Sequence, residues 1–376
     1  MHELIVSPFL DGYLALRPGR QAGLRLPEQK YRELRTAARA DAPPPKWLVE
    51  AAHEVWGLEI GGRPARSTLL VREPSGYGFS RASWEINLGC NFACKHCYLG
   101  LKEFSGLPWE EKIRLLDIMQ TVGVVWFQIT GGEPTIDKHF QDAYRYAYSL
   151  GMMLTVSTNA SRLWNGPLLE MFEECPAYRI VVSVYGATEQ SFDGLTQRRG
   201  AWKSFKRGVD AAREAKLPVR LNLIVTEDSA DEVDAMVALA EAWELDHHVY
   251  TNMTPTIYGG PESLLAQSTE HLRERTPFQG CNAGHTFFHA DPHGKVSICK
   301  VGRDDQIDLM AEGAEGLRKL GGIADKLMLR TGGCQGCLLS GSCLVCRPLA
   351  KQFQEAKAPL ASYCQHGQPK KEMVKA

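Results

Sequence analysis

The sequence contains no run of 18 or more apolar residues and no excess of charge of either sign. A membrane-spanning helix needs about 20 predominantly apolar residues, so we expect no membrane partner. Lysine and arginine number 43 against 44 aspartate and glutamate residues, so the chain lacks the strong positive field of a dedicated nucleic-acid-binding protein. Its first eight residues lack the basic start and apolar core of a signal peptide, and we therefore expect a cytoplasmic protein.

Cysteine, by contrast, is abundant, with 11 residues in a chain of 376. The chain has no export signal and is too long to need disulfide bonds for its stability. In such a chain, clustered cysteines indicate metal ligands more often than disulfides. Three fall in one run, seven follow residue 280, and Cys175 stands alone. Cys175 precedes a predicted strand, at the end of the sheet away from the chemistry, so we interpret it as a small buried apolar residue.

Hydrophobic periodicity and turn signals divide the chain into five parts. Residues 1–80 read as a small module of short strands followed by helices. Strand and helix patterns alternate over residues 84–255, and residues 256–277 read as a linker. Residues 278–364 are rich in glycine and cysteine with little regular pattern, so we expect metal ligation to supply their folding energy. Residues 365–376 read as a frayed tail.

The alternating part predicts an α/β fold. Candidate strands are residues 84–88, 124–129, 154–157, 180–184, 220–225 and 248–252. Alternation of strands and helices predicts parallel strands joined by right-handed crossovers. Six such repeats can form an open sheet or a complete or partial barrel, and in each case the chemistry lies at the carboxyl ends of the strands.

The first cysteine run follows the first of these strands. Three residues separate Cys90 from Cys94, and two separate Cys94 from Cys97. Three thiolates can bind three irons of a four-iron cluster and leave the fourth iron open to another ligand. A structural zinc site completed by His96 is the alternative, although we interpret His96 as an exposed residue.

This spacing resembles the motif of the radical S-adenosylmethionine (SAM) family, in which an aromatic residue usually precedes the last cysteine. Here His96 takes that place. The resemblance implies a 4Fe-4S cluster whose open iron binds SAM, and reductive cleavage of SAM to a 5′-deoxyadenosyl radical that abstracts hydrogen from a substrate. It also implies a partial (β/α)6 TIM-like barrel and a low-potential electron donor such as flavodoxin or ferredoxin.

Further motifs follow the later predicted strands and resemble the SAM-binding turns of the family. The residues that the resemblance assigns to SAM are Gly131, Gly132, Glu133, Pro134, Ser157, Asn159, Ser183, Arg198 and Asn222. Glycines let the backbone approach a ligand closely, and Glu133 would accept a hydrogen bond from the methionine ammonium. Arg198 would pair with the methionine carboxylate, unless it is simply a solvated charge. Tyr185 stands where the family often has an acidic residue. No residue is identified as a catalytic acid, base or hydrogen donor.

The later cysteines resemble the SPASM extension of radical SAM enzymes, which carries up to two auxiliary 4Fe-4S clusters. The resemblance assigns to one cluster Cys281, Cys299 and Cys346, and to the other Cys334, Cys337, Cys343 and Cys364. Two residues, where the family usually has three, separate Cys343 from Cys346. His285, a non-protein ligand or an open site could complete the first set. Two zinc sites are the alternative.

Enzymes with a SPASM extension mostly modify peptides, and the order of strands and helices in residues 1–80 resembles the winged-helix-like peptide-recognition element of maturases of ribosomal peptides (RiPPs). We therefore expect a radical SAM oxidoreductase that crosslinks or oxidises a precursor peptide. A radical SAM dehydrogenase or epimerase of a small molecule, such as a sugar or aminocyclitol, is the alternative enzyme. A non-catalytic iron–sulfur carrier is the alternative of another class, but a carrier has no need of the methionine pocket that Gly131 to Pro134 indicates.

Overall fold

The computed structural model describes residues 2–273, 278–327, 337–338 and 344–366. The predicted cluster ligands Cys334 and Cys343 lie outside the described residues, as do part of the predicted linker and most of the predicted tail. Within the described ranges, no helix combines the length and apolar character needed to cross a membrane.

A four-stranded sheet and two long helices form the N-terminal module. Its strands are β1 (Leu4–Phe9), β2 (Gly12–Leu16), β3 (Gly23–Leu26) and β4 (Leu69–Val71), in the order β3-β2-β1-β4, and its helices are α1 (Glu28–Ala40), α2 (Lys46–Trp56) and α3 (Ala65–Thr68). Asp41 and Gly57, with φ of 52° and 59°, end α1 and α2 in the left-handed conformation that terminates helices. Leu34 and Leu48 are fully buried in one core with sheet residues, so each helix packs its apolar face on the sheet.

Six parallel strands follow and form the centre of the molecule. They are β5 (Arg81–Glu85), β6 (Trp126–Thr130), β7 (Met153–Thr158), β8 (Arg179–Val184), β9 (Val219–Ile224) and β10 (Asp246–Tyr250). Neighbours in the sheet are neighbours in the chain, and every pair is parallel. In the described residues β5 and β10 are not paired with each other. The fold is therefore a partial (β/α)6 barrel, as the resemblance implied.

Helices connect these strands. They are α4 (Trp109–Thr121), α5 (Phe140–Ser149), α6 (Gly166–Glu174), α7 (Glu189–Thr196), α8 (Ala201–Glu214) and α9 (Val233–Ala242). Helical patterns in the sequence predict five of them, at residues 109–121, 136–149, 163–174, 201–215 and 231–244, but give no sign of α7. The first strand also ends three residues earlier than predicted, because residues 86–89 leave the sheet and pack on the loop after β6.

The sequence prediction for residues 278–364 was wrong in one respect. The first half of this part contains regular structure: β11 (Phe287–Ala290), β12 (Lys295–Ser297), β13 (Ile307–Asp308), α10 (Leu309–Gly316) and α11 (Leu320–Lys326). Strand β11 pairs in parallel with β5 and so extends the central sheet to nine strands. Phe288, Val296 and Leu309 are fully buried in the same core as Trp84. This segment is held by hydrophobic burial, and metal ligation is not its only source of folding energy.

Residues 344–366 form a smaller unit around α12 (Arg347–Glu355). Val345, Ala350, Phe353 and Tyr363 make a separate buried cluster there, with the rings of Phe353 and Tyr363 stacked 5.6 Å apart. For this part, whose apolar core is small, the expectation of stabilisation by metal ligation stays a prediction.

The N-terminal module covers the amino ends of the barrel strands. The buried Arg72 guanidinium, which follows β4, donates to the carbonyl oxygens of Gln120 and Val124 at 3.1 and 2.6 Å. Ile5 and Leu16 of the module share a buried cluster with residues at the starts of β6 and β7. The module therefore lies at the end of the barrel opposite the strand ends where chemistry is expected.

Candidate active site

A cavity of about 540 Å³ lies at the carboxyl ends of the parallel strands. Side chains alternate along a strand, and the inward-facing series of β6 to β9 lines the cavity, including Gln128, Ser157, Ser183 and Asn222. Ser183 lies directly beside Asn222 in the register of β8 and β9. Three of the predicted SAM contacts on different strands are thus brought to one wall.

The cysteine loop forms the other side of this cavity. The thiols that line it are those of Cys90, Cys94 and Cys97. The backbone N–H groups of Ala93 and Lys95 donate to the carbonyl oxygens of Thr196 and Leu195 at 2.8 and 3.1 Å. Phe92 is buried in the core and packs edge-on against a ring of α7. The helix that the sequence did not reveal is therefore the support on which the cysteine loop rests.

The three thiols have the chemistry of a cluster site. Burial raises the pKa of the Cys90 thiol to about 11, and burial with the two neighbouring cysteines raises that of Cys94. Burial thus favours the neutral thiols of Cys90 and Cys94 in the protein alone, and a thiolate at either position requires a cationic ligand such as iron. None of the three is in a disulfide, and binding of a cluster would release their protons.

Three thiolates of a four-iron cluster bind three different irons, so they need not converge on one point. In the described residues no group of three histidine, cysteine, aspartate or glutamate side chains is arranged around a single metal ion. Three thiols that face one cavity are a donor set that fits such a cluster, and the zinc site stays the alternative.

Two glycines let the loop after β6 lie against the chain that leads into the cysteine loop. A Cβ atom on Gly131 would lie 2.1 Å from the carbonyl oxygen of Asn87, and one on Gly132 would lie 2.1 Å from that of Gly89. The N–H of Gly132 donates to Asn87 and that of Glu133 to Gly89, at 3.0 and 2.8 Å. Both glycines also line the cavity. The structure thus explains the two glycines by backbone packing as well as by the predicted approach to a ligand.

Glu133 connects the loops after β6 and β7. Its Oε1 accepts from the hydroxyl groups of Thr135 and Thr158 at 2.5 and 2.7 Å, and its Oε2 accepts from the N–H of Asn159 at 2.7 Å. The carboxyl is fully buried, and burial raises its pKa. Neither Glu133 nor the buried Pro134 lines the cavity. Their predicted contacts with SAM stay predictions. The structure does show that Glu133 holds the loops after β6 and β7 together through hydrogen bonds.

Asn159 links the hydrogen bonds of Glu133 to the cysteine loop. Its Nδ2 donates to Oδ1 of Asn91 at 2.9 Å and lies 3.8 Å from the sulfur of Cys90. The Nδ2 of Asn91 in turn donates to Ser161 at 2.8 Å. The positions of the cysteine loop and of the turn after β7 are therefore fixed relative to each other by side-chain amides.

His96 is not the exposed residue that the sequence suggested. Its ring packs against that of Tyr185 at 5.1 Å, it lines the cavity, and its Nδ1 is buried with no hydrogen-bond partner in the described part of the chain. Burial lowers its pKa to about 4. Tyr185 itself is buried, and it fills with an aromatic ring the place where the family often has an acidic group.

Arg198 does not reach the cavity. It lies exposed in the turn after α7, and its backbone N–H donates to the carbonyl oxygen of Asp193 at 3.3 Å. Its predicted pairing with the methionine carboxylate is therefore not supported by the structure, which favours the alternative of a solvated charge. The turn continues into α8, which begins at Ala201.

Other basic residues line the cavity and were missed by the sequence reasoning. They are Lys102, Arg220 and Lys300. For Arg220 a signal existed, because it precedes Asn222 by two residues and so shares its face of a predicted strand. Lys102 lies in a loop, and Lys300 comes from the C-terminal part, so periodicity gave no signal for either.

Lys300 belongs to a buried polar network between β5 and the C-terminal part. Arg303 donates to both oxygens of the fully buried Glu85, at 2.8 and 3.0 Å. Tyr98 donates to Glu85 at 3.3 Å, and Lys300 donates to the Tyr98 oxygen at 3.3 Å. Arg303 and His289 both favour the ionised form and hold the pKa of Glu85 far below its ordinary value. This network joins the segment after Cys97 to the segment after Cys299.

The described C-terminal cysteines fall into two places. Cys299 is half-buried after β12, and its sulfur accepts from the N–H of Gly302 at 3.3 Å. Burial raises the pKa of its thiol, and the nearby Cys281 adds to that effect. Cys346 precedes α12, and Cys364 packs against the small apolar cluster there. Cys337 is exposed. The two cluster assignments stay predictions.

His285, considered as a fourth ligand of the first auxiliary cluster, has a protein partner. Its Nε2 lies 3.0 Å from a carboxylate oxygen of Asp325. Cys175 is buried in the main core at 2% exposure, so its interpretation as a small apolar residue is confirmed.

The parallel partial barrel with a three-cysteine loop at its carboxyl edge defines the class. Residues 84–240 match the family model described as the Radical SAM superfamily. This part of the chain is a radical SAM domain, and the family's cofactors are SAM and a 4Fe-4S cluster.

Among curated proteins, the chain is 26% identical over 173 residues to an AdoMet-dependent heme synthase of Methanosarcina barkeri, covering 45% of this chain and 49% of that protein. It is also 26% identical over 239 residues to the mycofactocin maturase MftC of Mycobacterium ulcerans, covering 59% and 63%. The chain thus spans about half to two thirds of the length of these relatives.

Among solved structures, the fold resembles that of SuiB from Streptococcus suis. The structure of SuiB bound to S-adenosylmethionine gives a TM-score of 0.57 at 16% identity and covers 92% of this chain and 94% of that one. SuiB bound to its precursor peptide SuiA gives a TM-score of 0.55 at 14% identity, covering 89% and 90%. At this identity the likeness concerns the fold.

Proposed function

We propose that this protein is a radical SAM enzyme that modifies a precursor peptide, introducing a crosslink or an oxidation. The observation that carries the proposal is the extent of the likeness to SuiB. It leaves out only 8% of the chain, about 30 residues, which is less than the 80-residue N-terminal module. A fold shared with a peptide-binding maturase over the radical SAM domain and at least part of the module favours a peptide substrate over a small molecule.

The cofactors supply the oxidising chemistry, since a cluster with SAM provides the 5′-deoxyadenosyl radical that takes hydrogen from the substrate. The chain's own residues would hold them. Cys90, Cys94 and Cys97 would bind the cluster, and the polar wall formed by Ser157, Ser183 and Asn222 would bind SAM. Gly131 and Gly132 keep the two sides of this site in register through the backbone contacts described above.

The N-terminal sheet offers an edge for a leader peptide. Strand β3 is one edge of that sheet, and Gly23 and Arg25 on it are exposed. An extended peptide can add to such an edge through backbone hydrogen bonds. The other edge, β4, is followed by Arg72, which is buried against the barrel. We therefore assign the leader to β3 and not to β4.

Leader binding at β3 would be remote from the cavity, because the module covers the opposite end of the barrel. The peptide would have to extend along the barrel to bring its modified residues to the cysteine loop. Tethering of this kind raises the local concentration of the reacting segment without new contacts at the active site.

The experiment uses the intact, cluster-loaded protein and candidate short peptides taken from the reading frames beside its gene. We expect SAM cleavage to be accompanied by a change in the mass of the peptide. We also expect hydrogen–deuterium exchange to slow at residues 23–26 when peptide is added, with residues 69–71 as the internal control. Deleting the module is a poorer test, since Ile5 and Leu16 cover the starts of barrel strands.

If the peptide is modified but hydrogen–deuterium exchange slows at residues other than 23–26, the proposed peptide-modifying function stands and the proposed role of β3 is wrong. If the peptide neither binds nor changes mass while SAM is cleaved, the small-molecule dehydrogenase or epimerase becomes the better proposal. Absence of SAM cleavage from reduced, iron-loaded protein would favour the iron–sulfur carrier.

A further inference from the structure

The cavity is positively charged. Besides the thiols and neutral polar groups, its lining includes the side chains of Lys102, Arg220 and Lys300, and among the described residues no aspartate or glutamate lines it. A cavity with charges of one sign concentrates ligands of the other sign. Some of this charge offsets the cysteine thiolates that a cluster would require, so the three residues have to be considered one by one.

Two of the three basic residues interact with other charged or polar groups of the site. Lys102 lies within electrostatic reach of the cysteine loop, since its charge lowers the pKa of the Cys90 and Cys94 thiols against the effect of burial. Lys300 donates to the Tyr98 hydroxyl and interacts electrostatically with the buried Glu85. The charges of these two residues are therefore engaged by groups of the protein.

Arg220 is the exception. It is half-buried on the inward face of β9, one alternation deeper than Asn222, and it makes no ion pair or side-chain hydrogen bond with any described residue. Asp246, its neighbour by register on β10, is exposed, lies outside the cavity lining and forms no ion pair with it. A guanidinium presents several N–H donors in a planar fork that matches the geometry of a carboxylate. Among the basic residues of the cavity lining, Arg220 therefore presents a guanidinium that no described side chain engages.

We propose that Arg220 binds a carboxylate of the substrate, so that the modified segment of the peptide carries an aspartate, a glutamate or its own C-terminus into the cavity. This inference rests on the proposed function and names the recognised group. The guanidinium can bind a carboxylate through two parallel hydrogen bonds. Arg220 lies deeper than the predicted SAM contact Asn222, on the wall opposite the cysteine loop, where the substrate would lie next to SAM.

The matched variants are Arg220→Gln and Arg179→Gln. Arg179 lies on the neighbouring strand β8, is also half-buried, but donates to Gln21 of the N-terminal module and does not line the cavity. For Arg220→Gln we expect the KM for the peptide to rise roughly 10- to 100-fold, the effect of losing a charge-assisted hydrogen-bonded pair. Arg179→Gln should behave as the unaltered protein does.

Peptide variants identify the carboxylate. One has its aspartate and glutamate residues replaced by the amides, and another has an amidated C-terminus. The variant that lacks the recognised carboxylate should bind the unaltered protein weakly, and Arg220→Gln should no longer distinguish it from the original peptide. If Arg220→Gln still binds the original peptide more tightly than the peptide without that carboxylate, to the same degree as the unaltered protein does, the proposal is overturned. Weakened binding of SAM without an effect on peptide binding also overturns it, because Arg220 would then serve the cofactor.

A measurement without peptide separates this inference from the proposed function. In the presence of saturating SAM, glutarate serves as a carboxylate probe, and the melting temperature of the cluster-loaded protein is recorded. Glutarate should stabilise the unaltered protein and Arg179→Gln more than Arg220→Gln. Equal stabilisation of all three contradicts a carboxylate site at Arg220. A peptide that is never modified, together with a glutarate effect that depends on Arg220, refutes the peptide substrate and retains the carboxylate site.

Discussion

Glu85 and Arg303 form a doubly hydrogen-bonded ion pair that joins the first barrel strand to a segment 218 residues later in the chain. The Glu85 side chain is fully buried and that of Arg303 is 13% exposed. In such surroundings the loss of one partner leaves an uncompensated buried charge. The pair therefore fixes the position of the segment that carries Cys299 relative to the one that carries Cys97.

Replacement of Glu85 by Gln should destabilise the protein by about 3 to 5 kcal/mol, because Arg303 would remain buried without its anion. Glu174→Gln is the matched control, since the pair of Glu174 with Arg145 is exposed and should contribute less than about 1 kcal/mol. Urea unfolding of the cluster-loaded proteins measures both changes. Similar small losses in the two variants would show that the buried pair does not hold the segments together.

His289 gives the stability a specific pH dependence. It is fully buried beside Glu85, its Nδ1 lies 2.7 Å from the Ser83 hydroxyl, and burial lowers its pKa from 6.5 to about 4. Between these two pH values the unfolded chain takes up a proton that the folded chain does not, so the free energy of unfolding falls as the pH falls. At 1.36 kcal/mol per pKa unit, the loss attributable to His289 is about 2 kcal/mol at pH 5 and approaches about 3 kcal/mol at pH 4.

The measurement is the difference in unfolding free energy between the unaltered protein and His289→Gln at pH 7.5 and again at pH 5. Acid lability of a cluster affects both proteins alike, so it cancels in the comparison. The unaltered protein should lose more stability than the variant on acidification. Parallel losses in both would refute the assignment to His289.

The strands and the cysteine loop were predictable because local patterns specify them. Residues 179–184 alternate between buried and half-buried positions along β8, which is the period-2 signal of a strand. The spacing of Cys90, Cys94 and Cys97 and the Gly131-Gly132 pair are likewise local features. The strand and helix patterns predicted an α/β fold, and the resemblance of these motifs to the radical SAM family implied the partial barrel, with which the structure and the family comparison agree.

What the sequence did not show depends on distant contacts or on weak local signals. Helix α7 has Ser191, Gly194 and Thr196 at positions where good helix formers would be expected, and it is held by the capping box at Thr188. The parallel pairing of β11 with β5 and the Glu85–Arg303 pair join segments more than 200 residues apart. Arg198 was favoured by its place in a motif, but its side chain is exposed and does not line the cavity.

Gly132 tests the backbone packing beneath the cysteine loop. In Gly132→Ala the new Cβ would lie 2.1 Å from the Gly89 carbonyl oxygen, so one backbone segment must move, at a cost of about 1 to 3 kcal/mol. Gly194→Ala is the control, since nothing lies within 4 Å of a Cβ there and alanine favours the helix by about 0.5 to 1 kcal/mol. Melting temperature and iron content should both fall in the first variant. If Gly132→Ala retains both, the contact is not required.

The last prediction concerns the cluster itself. Replacement of Cys90, Cys94 and Cys97 by alanine should remove the iron of one cluster and abolish SAM cleavage, because no open iron would remain to bind SAM. The fold should persist, since the loop is held by backbone hydrogen bonds to α7 and by the burial of Phe92.

Cys175→Ala is the control for the loss of a thiol. Because Cys175 is buried in the core, this variant should keep its iron and its activity and lose about 1 kcal/mol of stability. Iron analysis and circular dichroism of anaerobically prepared proteins distinguish the cases. A triple variant that still cleaves SAM would refute the assignment of the cluster to this loop. Zinc in place of iron in the unaltered protein would favour the structural metal site considered at the outset.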